Sequence, residues 1–500
     1  MYLLQPHLHT RRAFLRRAGQ LALTGTALPM ALNLAALGGA AAFNVNPSDP
    51  NDYKALVCVF LYGGNDYANT VITYDDPSYN LYSAVRGGGS GQSAGGIALA
   101  KSELAATLLN PTVALANARQ YALHPAMTGL ASLFNTGKAA VQLNVGPLVV
   151  PLTRTQYNSG NRVTYPLPPK LFSHNDQQSI WQSSSPEGST IGWGGNLGDL
   201  ALSSNSNSLF TCISVTGNAV FLSGDSALSY QVSTSGAVAI KGVKSSVYGS
   251  NAVKDALTSL IQEPRAHTLE NEYNKVVKRT VTSESQITSV LASTASSGVA
   301  PFLEPMPATF SGNSLASQLK MVARLIAGRA ALGNKRQVFL VSLGGFDLHD
   351  NLISQQPVLM DRVSEAMTAF YEATVTLGVA NKVTAFTASD FGRTLASNGD
   401  GSDHGWGGHH IMVGGAVKGK AFYGSAPPVS VASTSAPDDQ WHVGQGRLLP
   451  STSVDQYAAT LARWFGVADS ELAGILPNLK HFGAAAGRPD YPTDMGFMTG

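Results

Sequence analysis

Five short apolar runs, each halted by a small or polar residue, limit this chain more than any other feature. They are residues 55–61, 139–145, 338–343, 382–388 and 411–413. Each has the length of a buried strand and is rich in Val, Phe or Ile. Helical patterns lie between them. Leu319, Val322, Ala323, Ile326 and Ala327 form a 3.6-residue stripe within 317–332. Residues 358–377 and 453–465 read the same way, with Ser453 placed to cap the last helix. Strands alternating with helices predict an α/β fold, a mainly parallel sheet covered on both faces.

Composition agrees with a large core. Of the 500 residues, 44% are hydrophobic but only 13% are charged, about half the usual share. Gly, Ser, Thr and Asn make up the difference, which suits long neutral surface loops. They concentrate in 186–250, where short alternating runs at 219–222 and 237–240 predict a β-rich insertion on the same domain. The Gly-rich stretch 87–96 lacks the G-x-G-x-x-G spacing of a phosphate cradle. Cys58 and Cys212 each fall in an apolar run. Two buried thiols are expected, with a single disulfide as the alternative.

The first 42 residues read as an address. Thr10-Arg11-Arg12-Ala13-Phe14-Leu15-Arg16 matches the twin-arginine export consensus. An apolar stretch, 21–37, follows and is broken by Pro29; Ala40, Ala41 and Ala42 then supply a small-residue cleavage site. This charged, apolar, small layout is that of a signal peptide. It predicts the twin-arginine translocase as a partner, a periplasmic or secreted protein, and one α/β domain over 43–500. Without the four arginines of that segment, the 33 basic residues become 29 against 31 acidic, a net charge of −2. Nucleic acid and anionic membranes are thereby excluded as favoured partners. No other stretch is long and apolar enough for a stable membrane span.

Histidines and carboxylates cluster after the apolar runs. Asp66 follows the first, in Gly63-Gly64-Asn65-Asp66. Asp347 and His349 follow 338–343, and Asp390 follows 382–388, with Arg393 three residues on. Asp403, His404, His409 and His410 lie in a Gly-rich stretch that enters the last run. Ligands of open α/β sheets bind outside the carboxyl ends of the strands. Three strand ends are therefore expected to deliver carboxylates to one edge. Extended Asp347 and His349 share a face, whereas His409 and His410 point to opposite faces, so at most one joins a site. Oxygen and imidazole donors without thiolate suit zinc, manganese, magnesium or calcium. Candidate nucleophiles are Ser173, at an apparent helix start, Thr70, and a water activated by a metal. Arg393 is expected either to hold an anionic oxygen or to pair with a carboxylate.

At these residues the chain resembles the secreted bacterial proteins grouped as domain-of-unknown-function family 1501, distant relatives of the alkaline phosphatase and sulfatase superfamily. The matching pieces are the twin-arginine start, 61–70, Leu123-His124-Pro125 and 173–182, then 344–349, 389–394 and 403–419. The resemblance implies an alkaline-phosphatase-like three-layer sandwich with one or two divalent ions at strand ends. It implies that Asp66, Asp347, His349, Asp390, His404 and one of His409 or His410 are ligands. Phe391 stands where that superfamily usually has a His. The expected activity is hydrolysis of phosphate or sulfate esters, on a small anionic ester or a surface glycan. The rival expectation is an exported binding protein that keeps the fold without catalysis.

Overall fold

The computed structural model describes residues 43–44, 49, 52–87, 96–295, 299–302 and 306–499. The expected signal, 1–42, lies outside the described residues, as does most of the Gly-rich stretch 87–96.

The apolar runs are strands of one nine-stranded sheet. In chain order the strands are β1 (Lys54–Leu61), β2 (Val71–Thr73), β3 (Tyr121–Leu123), β4 (Ala139–Gly146), β5 (Cys212–Ser214), β6 (Ser229–Gln231) and β7 (Arg336–Leu343). They continue with β8 (Val383–Ser389), β9 (Gly408–Gly414), β10 (Phe422–Tyr423) and β11 (Thr452–Ser453). The sheet runs β10-β4-β9-β8-β1-β7-β5-β6, with β11 on β4; β2 and β3 form a separate pair. Within the large sheet only β9 is antiparallel to its neighbours. This is a mainly parallel α/β sheet flanked by helices, as the alternation of runs predicts.

β1 shows why both faces are covered. Ala55, Val57, Val59 and Leu61 face one core, and Leu56, Cys58 and Phe60 face the other. All are buried, which accounts for a continuous apolar run in place of alternation. The first core is closed by the Ser314–Ala327 and Leu352–Thr376 helices, the second by Trp193–Ala201 and Val454–Phe465. Ser453 caps the last of these, in a capping box with Gln456. The Ser314–Ala327 helix keeps its predicted stripe but ends at Gly328, short of 332. The Leu352–Thr376 helix starts before Pro357, which sits in its second turn and removes one backbone bond.

Residues 186–250 differ from the expected β-rich insertion. Their two strands, β5 and β6, are three residues each and extend the central sheet beside β7. The run at 219–222 is a 3-10 turn, Val220–Leu222. Alternation over four residues is too short to hold a strand without a neighbour to pair with. Cys58 and Cys212 are free and buried, on strands separated by β7, so they form no disulfide. No helix among the described residues is long and apolar enough to cross a membrane.

Register positions the site. Leu61 lies level with Leu343 of β7 and Ser389 of β8, so three parallel strands end on one line. The antiparallel β9 starts at that same rim, with Gly408 opposite Val145 near the end of β4. Every loop carrying the candidate residues therefore leaves or enters the sheet at one edge.

Candidate metal centre

The loop after β8 folds back on itself. Thr394 N–H donates to Asp403, Gly405 N–H to Gly392, and Gly392 N–H to Trp406. This ladder sets His404 opposite Arg393. Gly63, just past β1, has φ +116°, and a Cβ there would collide with the Phe346–Asp347 backbone. Only glycine lets the β1 and β7 loops approach this closely. A long loop from β4 brings in His174, the first residue of the His174–Ser183 helix.

His174, Asp347 and His404 converge, with ligand atoms all within 4.8 Å of one another. His404 Nε2 lies 3.1 Å from His174 Nε2, 3.0 Å from His349 Nε2 and 3.2 Å from Asp347 Oδ1. His349 Nε2 is 3.1 Å from the same carboxylate oxygen, and His174 Nε2 is 3.3 Å from Oδ2. Each imidazole is held by its other nitrogen. His174 Nδ1 meets Asp390 Oδ2 at 2.6 Å, His349 Nδ1 meets Asp403 Oδ1 at 3.1 Å, and His404 Nδ1 donates to the Phe172 carbonyl at 2.7 Å. Acceptors on all three Nδ1 atoms favour the tautomer whose Nε2 carries a lone pair, so His174 and His349 each face the His404 Nε2 and the Asp347 carboxylate. That is the usual outer shell of metal-binding imidazoles. Tetrahedral bonds of 2.0–2.1 Å to zinc place ligand atoms roughly 3.3 Å apart. The observed 3.0–3.3 Å separations fit a divalent ion.

The protonation tendencies follow from these contacts. The hydrogen bond to Asp390 raises the His174 pKa, against a smaller lowering by burial. Burial lowers that of His404. Burial pushes the Asp347 carboxyl up, but the Arg393 hydrogen bond and charge outweigh it and hold the group below its ordinary range. The cluster stays open to solvent: the Asp347 and His349 side chains are each 44% exposed.

The other expected residues lie elsewhere. Asp66 caps the short Tyr67–Thr70 helix and is clasped by Arg86, at 2.6 and 3.0 Å, with the Ser402 hydroxyl donating at 2.7 Å. Both of its oxygens are occupied by protein donors, and it supports the Asp403–His404 loop from beneath. Asp390 is fully buried and accepts from Gly63 N–H, Gln178 and His174, so it orients a ligand in place of being one. Asp403 does the same for His349, braced by Asn398.

His409 and His410 do point to opposite faces, and neither joins the cluster. His409 accepts from Asn144 N–H and packs edge-on against Tyr67. His410 lies between Trp181 and Tyr457. Burial lowers both pKa values to about 3. The Ser173 hydroxyl donates to Asp176, and the Thr70 hydroxyl to the Asp66 carbonyl and Asn65. Arg393 is buried and spans Asp347 Oδ1 (2.6 Å), the Gly63 carbonyl (3.1 Å) and the Ser402 carbonyl, so it pairs with a carboxylate. Phe391 packs its ring 4.9 Å from His174 and 4.6 Å from His404 and walls the cluster. His124, buried beside β3, has its pKa lowered to about 4 by desolvation.

His174 is the residue that sequence reasoning passed over for its neighbour Ser173. Nothing beside it in the chain marks it as a ligand; it is simply the first residue of the helix that starts after Ser173.

Fold and rim together define a class: an α/β protein with a candidate His–Asp metal centre at the carboxyl ends of its central strands. The chain belongs to the DUF1501 family, described as a protein of unknown function, whose profile matches residues 53–475. That span contains every residue of the cluster. No curated protein matches the chain.

Proposed function

We propose that this is an exported, metal-dependent hydrolase of phosphate or sulfate esters, a distant relative of the alkaline phosphatase and sulfatase enzymes. One observation carries the reading. His174 and His404, each with its Nδ1 occupied, bring Nε2 to within 3.1 Å of each other and beside the Asp347 carboxylate, with His349 Nε2 3.0 Å from that of His404. His174, His404 and Asp347 would hold the ion, with His349 adjoining. Two imidazoles and a carboxylate favour zinc or manganese over calcium or magnesium. A bound divalent ion supplies Lewis acidity toward an ester oxygen and a supply of hydroxide near neutral pH.

The chain's own residues divide the remaining tasks. Arg393 keeps Asp347 ionised and oriented, and its contacts leave it unsuited to binding substrate. Arg447 fits that role better. Its Nε donates to the His404 carbonyl at 2.7 Å, and its guanidinium lies 5.4 Å from the centre of the Phe172 ring. Its terminal nitrogens make no hydrogen bond with a described residue. A fork anchored in this way suits a phosphate or sulfate group. The Ser173 and Thr70 hydroxyls are committed to local partners, which favours water as the attacking group. Export of an already folded chain by the twin-arginine route fits a protein that takes up its metal first.

Metal analysis of the purified full chain, followed by a panel of chromogenic phosphate and sulfate esters, tests the reading. The expected result is metal in proportion to protein, hydrolysis of one ester class, and a raised KM in Arg447→Gln. A metal-loaded protein inert on both classes would favour the binding role. Replacing Arg11 and Arg12 by Lys should strand the protein in the cytoplasm, and unchanged export would end that part of the proposal.

A further inference from the structure

The longest helix among the described residues, Thr268–Ala295, carries one seam whose two halves meet different surroundings. Positions 269, 273, 276, 280, 283, 287 and 290 advance in alternating steps of four and three, the heptad spacing of a coiled-coil seam. From Ser283 onward the seam is buried: Ser283, Ile287 and Val290 are 3%, 0% and 7% exposed. Before it the same seam is bare, with Leu269 74%, Tyr273 63% and Val276 54% exposed. On the adjoining Asn251–Gln262 helix, Val253 and Leu260 lie seven residues apart, on one face, and are also exposed. Exposed large apolar side chains gathered along helix faces in this way mark an interaction site.

We propose that this bare half-seam is the dimer interface of the protein, paired antiparallel with the same half-seam of a second copy. The charge pattern selects that occupant. Glu272 and Arg279 take equivalent flanking positions one heptad apart along the seam. In an antiparallel pair, equivalent flanks face each other. A two-fold axis between them sets Glu272 of each copy against Arg279 of the other, satisfying both pairs at once. The same register stacks Tyr273 on the second copy's Val276, and Leu269 on its Thr280. A parallel pair would instead set Glu272 against the second copy's Val277 and leave that charge without a partner across the seam. The intrahelical pair of Glu272 with Lys275 is exposed and yields readily. The seam is already a packing surface over its second half, so the dimer extends it.

Sedimentation equilibrium of the full chain, up to roughly 100 µM, tests this and is independent of the metal centre. Wild type should be dimeric. Val276→Lys should be monomeric with unchanged metal content, which also reports that it folds. Glu272→Arg should weaken the dimer by roughly tenfold, and adding Arg279→Glu should restore it. A monomeric wild type overturns the proposal, as does a dimer indifferent to Val276→Lys, a double reversal that restores nothing, or a monomer that binds lipid vesicles through this helix.

Discussion

His404 and the pair His409 and His410 sit five residues apart, yet the structure treats them as opposites. His404 lies in the rim loop, part-exposed, with its Nε2 among two other imidazoles and a carboxylate. His409 and His410 lie inside β9, buried against aromatic rings on its two faces. The carboxylates divide similarly. Asp347 is presented at the rim, whereas Asp66 is absorbed by Arg86. Residue type and proximity in the chain therefore say little about ligation. What separates the groups is whether the backbone carries the side chain past the strand end, and whether protein donors take both carboxylate oxygens, as Arg86 does at Asp66, or leave one to the cluster, as Arg393 leaves Asp347 Oδ2.

The sharpest way to break this contrast is His174→Ala. It should lose stoichiometric metal and more than roughly a hundredfold of any ester hydrolysis, while His409→Asn keeps its metal; metal analysis and kcat/KM decide. Next in size is Asp66→Ala, which leaves Arg86 buried and uncompensated. It should cost about 3–5 kcal/mol in urea unfolding, with the metal retained by the folded protein.

Acid should expose the buried pair. His409 and His410 are neutral in the fold, with pKa values of about 3, but protonate near pH 6.5 once unfolded. Their contribution to stability is complete above that pH and is lost as pH falls toward 3. Urea midpoints measured across this window should therefore fall, and in His410→Gln the slope should be shallower by one proton, about 1.4 kcal/mol per pH unit. A smaller effect is expected at the outer shell, where Asp390→Asn should weaken metal affinity by roughly 10–100-fold in a chelator competition, through the His174 ring it orients. Smallest of all, Ser173→Ala should leave metal content intact and kcat within roughly threefold, because its hydroxyl serves Asp176. A collapse of kcat there would return Ser173 to the role of nucleophile.

Much of the scaffold was legible. β1, β4, β7, β8 and β9 fall within a few residues of the apolar runs, and the capping of Val454–Phe465 by Ser453 was readable from its neighbours. The rim was legible too, because the loops of Asp66, Asp347 and Asp390 all follow strands whose ends are level. Within the rim the reading blurred. His174 carries no local mark of a ligand, and its partners lie 173 and 230 residues away. Asp66 looked equal to Asp347 because nothing near it in the chain announces Arg86, which closes on it from the end of a helix. Residues 186–250 misled through composition: Ser- and Gly-rich alternation marks a solvated surface as readily as a strand.

The sequence by itself determined the layering, the order of strands and helices along the chain, and the loops that reach the rim. These follow from apolar periodicity and backbone sterics, which act over a few residues. Only the tertiary structure decided which acids meet a cation from the protein and which imidazoles keep a free lone pair. Each carboxylate or ring nitrogen takes whichever donor or acceptor reaches it, and here those partners arrive on other loops of the same rim.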